Sequence, residues 1–254
     1  TAHTDYPINR YDRVYNWDIQ KNGITLFYPP KKHFWDIIET NYDVVLDRSK
    51  FSDFFRLDLT DDEKHQVDQI LPKDKTNIVI HTGHSYKFPY GKTPDYEWWY
   101  RLISSLPNCN FFQVGTKKED HTSRIMPDFD IRNFNVYDLR DELNLRQVAY
   151  LIEKTNTFVA IDSIVTHLSL HSNKTGVVIW GSSNSRTHSH EHNINLEATR
   201  HCGQSPCIDL GGFVVSDDRN QRCCLMPETA KQDSWPLVEE IKYEIEGIIN
   251  ESTV

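Results

Sequence analysis

The sequence contains no apolar run close to the roughly 18 residues that a membrane-spanning helix needs, so membrane contact is expected to be peripheral at most. It is also short of positive charge, because 28 Lys and Arg residues against 37 Asp and Glu residues give a net charge of -9. Nonspecific nucleic-acid binding depends on clustered Lys and Arg, so no nucleic-acid partner is expected. The start of the chain lacks the charged, apolar and small residues of a signal segment. That favours the cytoplasm.

The composition is that of a globular protein. Of 254 residues, 38% are hydrophobic, 26% charged and 12% aromatic, which is far from disordered or fibrous classes. The first ~72 residues are aromatic and polar with little alternation. We therefore predict a reduced or truncated N-terminal region over 1–74, a main domain over 75–230 with a Cys-rich loop at 200–226, and a C-terminal helix within 231–254.

Short apolar runs alternate with helical segments from residue 77 onward. The pattern predicts strands over 78–81, 110–114, 157–161 and 176–180, and helices over 95–106, 145–154, 164–172 and 235–249. Before them, a strand is predicted over 24–28, and a helix that ends near Leu71 is predicted from a capping box of Thr60 and Glu63. Strands that alternate with helices indicate an α/β protein, a Rossmann-like parallel sheet with helices on both faces.

The junction after the predicted strand 157–161 is the main candidate site. Ligands of such sheets bind beyond the carboxyl ends of the strands, where helix N-termini favour anions. Ser163 is expected to cap the next helix, and His167, four residues on, is expected on the same face as Ser163. Asp162 could bind a sugar hydroxyl or fix the loop. The alternative is an ordinary capped helix with a hydrogen-bonded histidine.

Two more polar segments follow predicted strands. His81-Thr82-Gly83 follows the first, and Gly115-Thr116-Lys117-Lys118-Glu119 follows the second. The carboxyl ends of parallel strands share one edge of the sheet, so these segments are expected to converge on Asp162 and Ser163. Together they predict a site for a phosphorylated ligand, with a nucleotide-sugar as the leading candidate.

The stretch from Ile78 to about Trp180 resembles a known family. In order, its pieces are Ile78-Val-Ile-His-Thr-Gly83, Lys92 before a Trp-rich helix, Gln113-Val-Gly-Thr-Lys-Lys-Glu119, Leu143-Asn-Leu-Arg-Gln-Val-Ala149, Ile161-Asp-Ser-Ile-Val-Thr-His-Leu168 and Val177-Val-Ile-Trp-Gly181. Their order and spacing are similar to those in the C-terminal, donor-binding domain of glycosyltransferase family 9. These are the ADP-heptose:lipopolysaccharide heptosyltransferases, which have the two-domain GT-B fold.

The resemblance implies an inverting glycosyltransferase that moves a sugar from an ADP-, GDP- or UDP-sugar to a hydroxyl of a glycan or protein. Lys92 would neutralise donor phosphate, Glu119 would bind the ribose, and Leu143 would pack on the base. The remaining donor contacts would come from Thr82, Gly83, Gly115, Asp162, Ser163, His167 and Ser182. A lysine and backbone amides stabilise a departing nucleoside diphosphate, so no metal cofactor is strictly required.

The sequence departs from the family in two places. Ile164 stands where the family usually has glycine, and a β-branched side chain is expected to resist unusual backbone angles. The family also takes its acceptor site and catalytic carboxylate from a full N-terminal Rossmann domain, whereas only some 72 residues precede the matching region here. The catalytic residues are therefore unassigned.

Four cysteines form a second candidate site. Cys202, Cys207, Cys223 and Cys224 lie within 23 positions, and related proteins with a similar arrangement imply a structural zinc or iron. The adjacent pair departs from the usual Cys-x2-Cys spacing of zinc sites. Unligated thiols and disulfides remain open alternatives.

Three histidines alternate in the stretch that follows Gly181. If extended, His188, His190 and His192 would share one face and could bind a transition metal. The alternative is a polar loop beside the donor. Beside the transferase, two other functions stay open: a non-catalytic nucleotide- or sugar-binding module, and a Cys/His metal-binding interaction protein.

Overall fold

A six-stranded, wholly parallel sheet organises the chain in the computed structural model. Its strands are β1 (Thr76–His81), β2 (Cys109–Gln113), β3 (Val136–Asp138), β4 (Thr157–Ile161), β5 (Val177–Trp180) and β6 (Ile194–Glu197). Neighbours follow the order β3-β2-β1-β4-β5-β6. This is the Rossmann order, and it confirms the predicted parallel sheet.

The structure describes residues 35, 36, 39, 43–50, 55–83, 93, 94, 96–117, 136–181, 183, 185–198 and 235–251. The helices in this part are α1 (Asp61–Ile70), α2 (Tyr96–Ser105), α3 (Leu145–Lys154), α4 (Ile164–Leu168), α5 (Ser185–His188) and α6 (Val238–Glu251). Short 3-10 turns lie at Arg48–Lys50 and Ser169–His171. None of the described helices has the length and apolar character that a bilayer crossing requires.

The sheet is covered on both faces, because alternate residues of each strand point to opposite sides. On one face Ile78, Ile80 and Val159 belong to a buried cluster with α2 and α6. The other face packs Val79 and Phe158 against α1, α3 and α4. Strands that are buried on both faces are continuously apolar, which explains why β4 and β5 were recognisable from sequence.

Capping residues fix where two helices begin. The Thr60 hydroxyl accepts the Glu63 backbone N–H at 3.2 Å, and the Glu63 carboxylate accepts the Thr60 backbone N–H at 3.0 Å. The predicted capping box is therefore confirmed. Asn144 and Gln147 make the same reciprocal pair at the start of α3. Asn144 also donates to Glu63 at 2.9 Å, which joins the N-termini of α1 and α3.

Several elements differ from the sequence prediction. Strands β3 and β6 and helix α5 were not predicted, because they are three or four residues long and only partly apolar. The helix predicted over 164–172 is α-helical only to Leu168 and then tightens into a 3-10 turn. The helix predicted over 235–249 begins at Val238, after Pro236. The strand predicted over 24–28 lies outside the described residues.

Candidate donor-binding site

The candidate site lies at the carboxyl ends of β1 and β4. These strands are neighbours at the centre of the sheet, and from them the chain proceeds outward in opposite directions. At such a switch point the loops diverge and leave a crevice for a ligand. Thr82 and Gly83 follow β1, and Asp162 and Ser163 follow β4. The predicted convergence of these segments on one edge is therefore present.

Asp162 is held from the neighbouring strand. The Ser183 hydroxyl, in the loop after β5, donates to Asp162 Oδ2 at 2.5 Å. Ser183 is itself buried. The contact corresponds to the loop-fixing role that was one of two expectations for Asp162.

Ser163 occupies the N-cap position of α4, but its side chain does not cap the helix. Its backbone is extended, with φ -157° and ψ 176°, and no side-chain cap hydrogen bond forms. The first turn is instead tied to β4 because the Thr166 hydroxyl donates to the Ile161 carbonyl at 2.9 Å. The expectation of a capping hydroxyl was therefore wrong.

The Ser163 hydroxyl is consequently a buried polar atom in need of a partner. Its Oγ makes no hydrogen bond with any residue in the described part of the chain. A buried hydroxyl without a partner costs free energy, and it lies beside Asp162 at the crevice. A ligand oxygen at this point would satisfy it.

Ile164 adopts ordinary helical geometry. Among the described non-glycine residues, positive φ angles occur only at Asp43, Asp141 and Asn173. The expected conflict between a β-branched residue and an unusual backbone angle therefore does not arise. The Ile164 side chain is 51% exposed, so it adds an apolar surface at the carboxyl edge where the family usually has no side chain.

Thr82 supports the loop rather than facing open space. Its side chain is fully buried, and its hydroxyl accepts from Gln113 Nε2 at 3.0 Å. The Thr82 carbonyl accepts from the Thr93 hydroxyl at 2.9 Å. This geometry therefore does not favour a direct contact between the Thr82 side chain and a ligand. The next residue, Gly83, is half-buried and lies nearer to solvent.

The loops after β2 and β3 are tied together. Gly115 has φ 126°, in the region that favours glycine, and its carbonyl accepts the Asp141 N–H at 3.0 Å. The Asp141 carboxylate accepts the Lys117 backbone N–H at 3.0 Å. Leu143, which follows, is half-buried against the core cluster of α3. These bonds fix the edge of the crevice on the β2 side.

His167 contacts a histidine that sequence reasoning had placed in a separate group. Its Nδ1 lies 2.9 Å from His190 Nε2. His188 ends the helical turn α5, and the Ser189 N–H donates to the Ser185 carbonyl at 2.8 Å. The extended arrangement of His188, His190 and His192, one of the two alternatives from the sequence, therefore does not form. Among the described residues, no three His, Cys, Asp or Glu side chains are grouped as metal ligands.

Several predicted site residues lie outside the described part. They are Lys92, Glu119, Ser182, Cys202, Cys207, Cys223 and Cys224. Their assigned contacts stay predictions.

The comparison with known families decides the classification. The family described as glycosyltransferase family 9 (heptosyltransferase) matches residues 46–210. The chain belongs to glycosyltransferase family 9. The match to family 9 contains all six strands of the sheet and the described residues of the candidate crevice.

One solved structure of a family 9 protein supports the fold, and two further structures are more distantly similar. A glycosyl transferase family 9 structure from Veillonella parvula DSM 2008 has a TM-score of 0.54 at 13% identity, and covers 77% of this chain and 54% of its own. E. coli ADP-heptose lps heptosyltransferase II has a TM-score of 0.44 at 17% identity, with 63% of this chain and 52% of its own covered. The iron-containing dodecameric glycosyltransferase TibC from enterotoxigenic E. coli H10407 has a TM-score of 0.47 at 13% identity, and the match covers 77% of this chain and 48% of TibC.

The chain spans about half the length of the solved structures that it matches. No curated protein sequence matches it significantly. The family match establishes the family. The six-stranded parallel sheet and the Veillonella parvula structure confirm the GT-B type α/β architecture predicted from sequence.

Proposed function

We propose that this chain is the donor-binding part of a glycosyltransferase, heptosyltransferase-like, that transfers a sugar from a nucleoside diphosphate to a hydroxyl of a glycan or protein. The observation that carries the proposal is the crevice between β1 and β4. There Asp162 and the unsatisfied Ser163 hydroxyl lie together in a family 9 domain. The cytoplasm is the proposed compartment.

The chemistry of the crevice suits a diphosphate ester. Phosphate oxygens accept hydrogen bonds, and the Ser163 hydroxyl can donate one. The Asp162 carboxylate can accept hydrogen bonds, which the hydroxyl groups of a sugar can donate. Ser163 and the backbone at Gly83 would therefore hold the diphosphate, and Asp162 would orient the sugar.

Charge stabilisation would come from the chain itself. The leaving nucleoside diphosphate gains negative charge in the transition state, and Lys92 and backbone N–H groups would stabilise it. Glu119 would bind the ribose and Leu143 would contact the base. The base that deprotonates the acceptor is not assigned to any residue.

A transfer assay tests the proposal. ADP-, GDP- or UDP-sugar is incubated with the protein and a carbohydrate acceptor, and released nucleoside diphosphate is measured. We expect release with one donor, and a loss of about tenfold or more in Lys92→Ala. Lys64→Ala, on exposed α1, is the matched control. Equal release by the wild type and a heat-denatured sample would contradict the proposal.

A non-catalytic nucleotide- or sugar-binding module is the second candidate, because the contacts at the crevice account for donor binding alone. Donor binding without release of nucleoside diphosphate in the same assay would identify the module.

A structural metal is a separate part of the proposal. TibC is described as iron-containing, and Cys202, Cys207, Cys223 and Cys224 are the residues proposed to bind iron or zinc here. Elemental analysis of the purified protein tests this. Fewer than about 0.1 equivalents of either metal would count against a structural cluster.

A further inference from the structure

Two histidines from distant parts of the chain meet at α4, next to the candidate crevice. His167 lies on α4, one turn after Ser163, and His190 lies in the loop before β6. Their Nδ1 and Nε2 atoms are 2.9 Å apart, and the rings meet edge to face at 77°. This is a hydrogen bond between two imidazoles, so one nitrogen donates and the other accepts.

His190 is fixed from the sheet side. Its carbonyl accepts the Asn193 N–H at 3.1 Å. The same carbonyl lies 3.4 Å from the side-chain nitrogen of Asn195. The side-chain oxygen of Asn195 accepts the Trp180 ring N–H at 2.8 Å. Because Trp180 ends β5 and is fully buried, the backbone of His190 is anchored to the core. His190 as a whole is 94% buried.

His192 holds the His190 ring from the other side. The Ser169 hydroxyl donates its one proton to the Thr166 carbonyl at 2.7 Å. The hydroxyl must therefore accept from His192 Nε2, which lies 2.8 Å away. Burial lowers the pKa of His192 to about 4, so the ring is neutral near pH 7 with its proton on Nε2. It stacks on His190 at 5.7 Å and 4°.

The proposed function sets the direction that we assign to the hydrogen bond between His167 and His190. Phosphate and sugar oxygens accept hydrogen bonds, and a neutral imidazole has one N–H. Because His190 lies at Nδ1 of His167, Nε2 is the ring nitrogen through which His167 would contact a ligand. Helical Cα–Cβ bonds tilt toward the N-terminus, so the His167 ring leans toward Ser163.

We infer that His190 is a positioning residue, which donates to Nδ1 of His167 and thereby fixes the tautomer whose Nε2–H faces the donor ligand. The inference rests on the proposed function for the identity of the ligand. The tautomer itself is a property of the free protein, which allows the two claims to be tested separately.

Nitrogen-15 NMR of the histidine rings tests the tautomer without any ligand. Spectra of the full chain are recorded at about pH 8, where imidazoles are mostly neutral. The His167 signals are assigned by their loss in His167→Gln. We expect the Nε2–H tautomer in the wild type and a mixture in His190→Ala. A wild-type Nδ1–H tautomer, or the same Nε2–H tautomer in folded His190→Ala, would overturn the inference.

Nucleotide binding gives the second measurement, with ADP, GDP and UDP as probes. We expect the dissociation constant to rise about tenfold in His190→Ala. His190→Gln should recover most of the affinity, because its amide nitrogen can replace the imidazole donor. His65→Ala, on exposed α1, is the control and should not differ from wild type. If circular dichroism shows that His190→Ala is unfolded, the nucleotide affinity of His190→Gln and the His167 tautomer of the wild type decide whether His190 is a positioning residue.

The two failures are distinguishable. If folded wild type binds none of the three nucleotides, the proposed function fails, while the tautomer measurement still decides the role of His190. If the wild type binds but His190→Ala binds equally well, the positioning role is wrong and the proposed function stands.

Discussion

The Ser183 hydroxyl donates to Asp162 Oδ2 at 2.5 Å and joins the loop after β5 to the end of β4. A carboxylate that accepts a short hydrogen bond from a neighbouring loop is held in one orientation. This contact therefore fixes the orientation of Asp162 at the candidate crevice.

Removing that donor should weaken both folding and binding. Ser183→Ala leaves Asp162 without its short hydrogen bond, and bonds to charged groups contribute about 1.5–3 kcal/mol. We expect the free energy of unfolding to fall by roughly 1–2 kcal/mol in urea titrations. Ser104→Ala, which removes an exposed hydroxyl on α2, should change it by less than about 0.5 kcal/mol. Equal effects of the two substitutions would contradict this account of Asp162.

The capping box at the start of α1 gives a stability prediction. Thr60→Ala removes the hydroxyl that accepts the Glu63 N–H, and loss of an N-cap costs about 1 kcal/mol. Thr60→Ser keeps the oxygen and should retain nearly all of the stability. Thermal unfolding followed by circular dichroism compares the two. If the serine variant loses as much as the alanine variant, the hydroxyl is not what caps this helix.

Glu63 makes stability depend on acid pH. The pKa of Glu63 is lowered from 4.5 to about 2, first by the Thr60 backbone N–H and then by Asn144 and Arg146. A folded pKa below the unfolded value means that the stabilisation is fully present above pH 4.5 and is lost as pH falls toward 2. Between those values the wild type should lose more stability than Glu63→Gln. Parallel stability curves for the two proteins would show that the carboxylate has no such role.

Two glycines offer opposite predictions for the same substitution. A Cβ on Gly176 would lie 2.3 Å from the buried ring of Phe158, whereas a Cβ on Gly247 in α6 would have no atom within 4 Å. Gly176→Ala should destabilise by about 1–3 kcal/mol through overpacking. Gly247→Ala should stabilise by roughly 0.5–1 kcal/mol, because alanine favours the helix. The free energies of unfolding in urea should move in opposite directions.

The sequence predicted those elements whose signals are local and strong. The ends of α3 were correct because a capping residue, Asn144, and a helical apolar stripe agree. Strand β4 was correct because it is apolar from Phe158 to Ile161. Strand β6 was missed because Ile194–Glu197 is only half-buried and alternates with polar residues at the edge of the sheet. Strand β3 has three residues, with Tyr137 41% exposed. Such short strands form by pairing with the adjacent strands of the sheet, which a local sequence pattern does not show.

The candidate site was predicted by position but not by contacts. Asp162 and Ser163 follow a recognisable strand, so their location could be inferred. The link from Asp162 to Ser183 and the link from His167 to His190 span 21 and 23 positions, and no local pattern encodes them. The alternation of His190 and His192 was visible in the sequence, but a turn rather than a strand arranges them, so only the extended alternative is excluded.

Nucleotide titration of a charge variant tests the central claim, that the donor diphosphate binds beside Ser163. Aspartate is a good N-cap residue, so Ser163→Asp should stay folded while its negative charge repels phosphate. Isothermal titration with ADP, GDP, UDP and their sugars compares it with wild type and with His65→Asp, an exposed control on α1. We predict binding of at least one nucleotide by wild type and by the control, and affinity at least about tenfold lower in Ser163→Asp. Equal affinity in folded Ser163→Asp, or no binding by folded wild type, would contradict the claim.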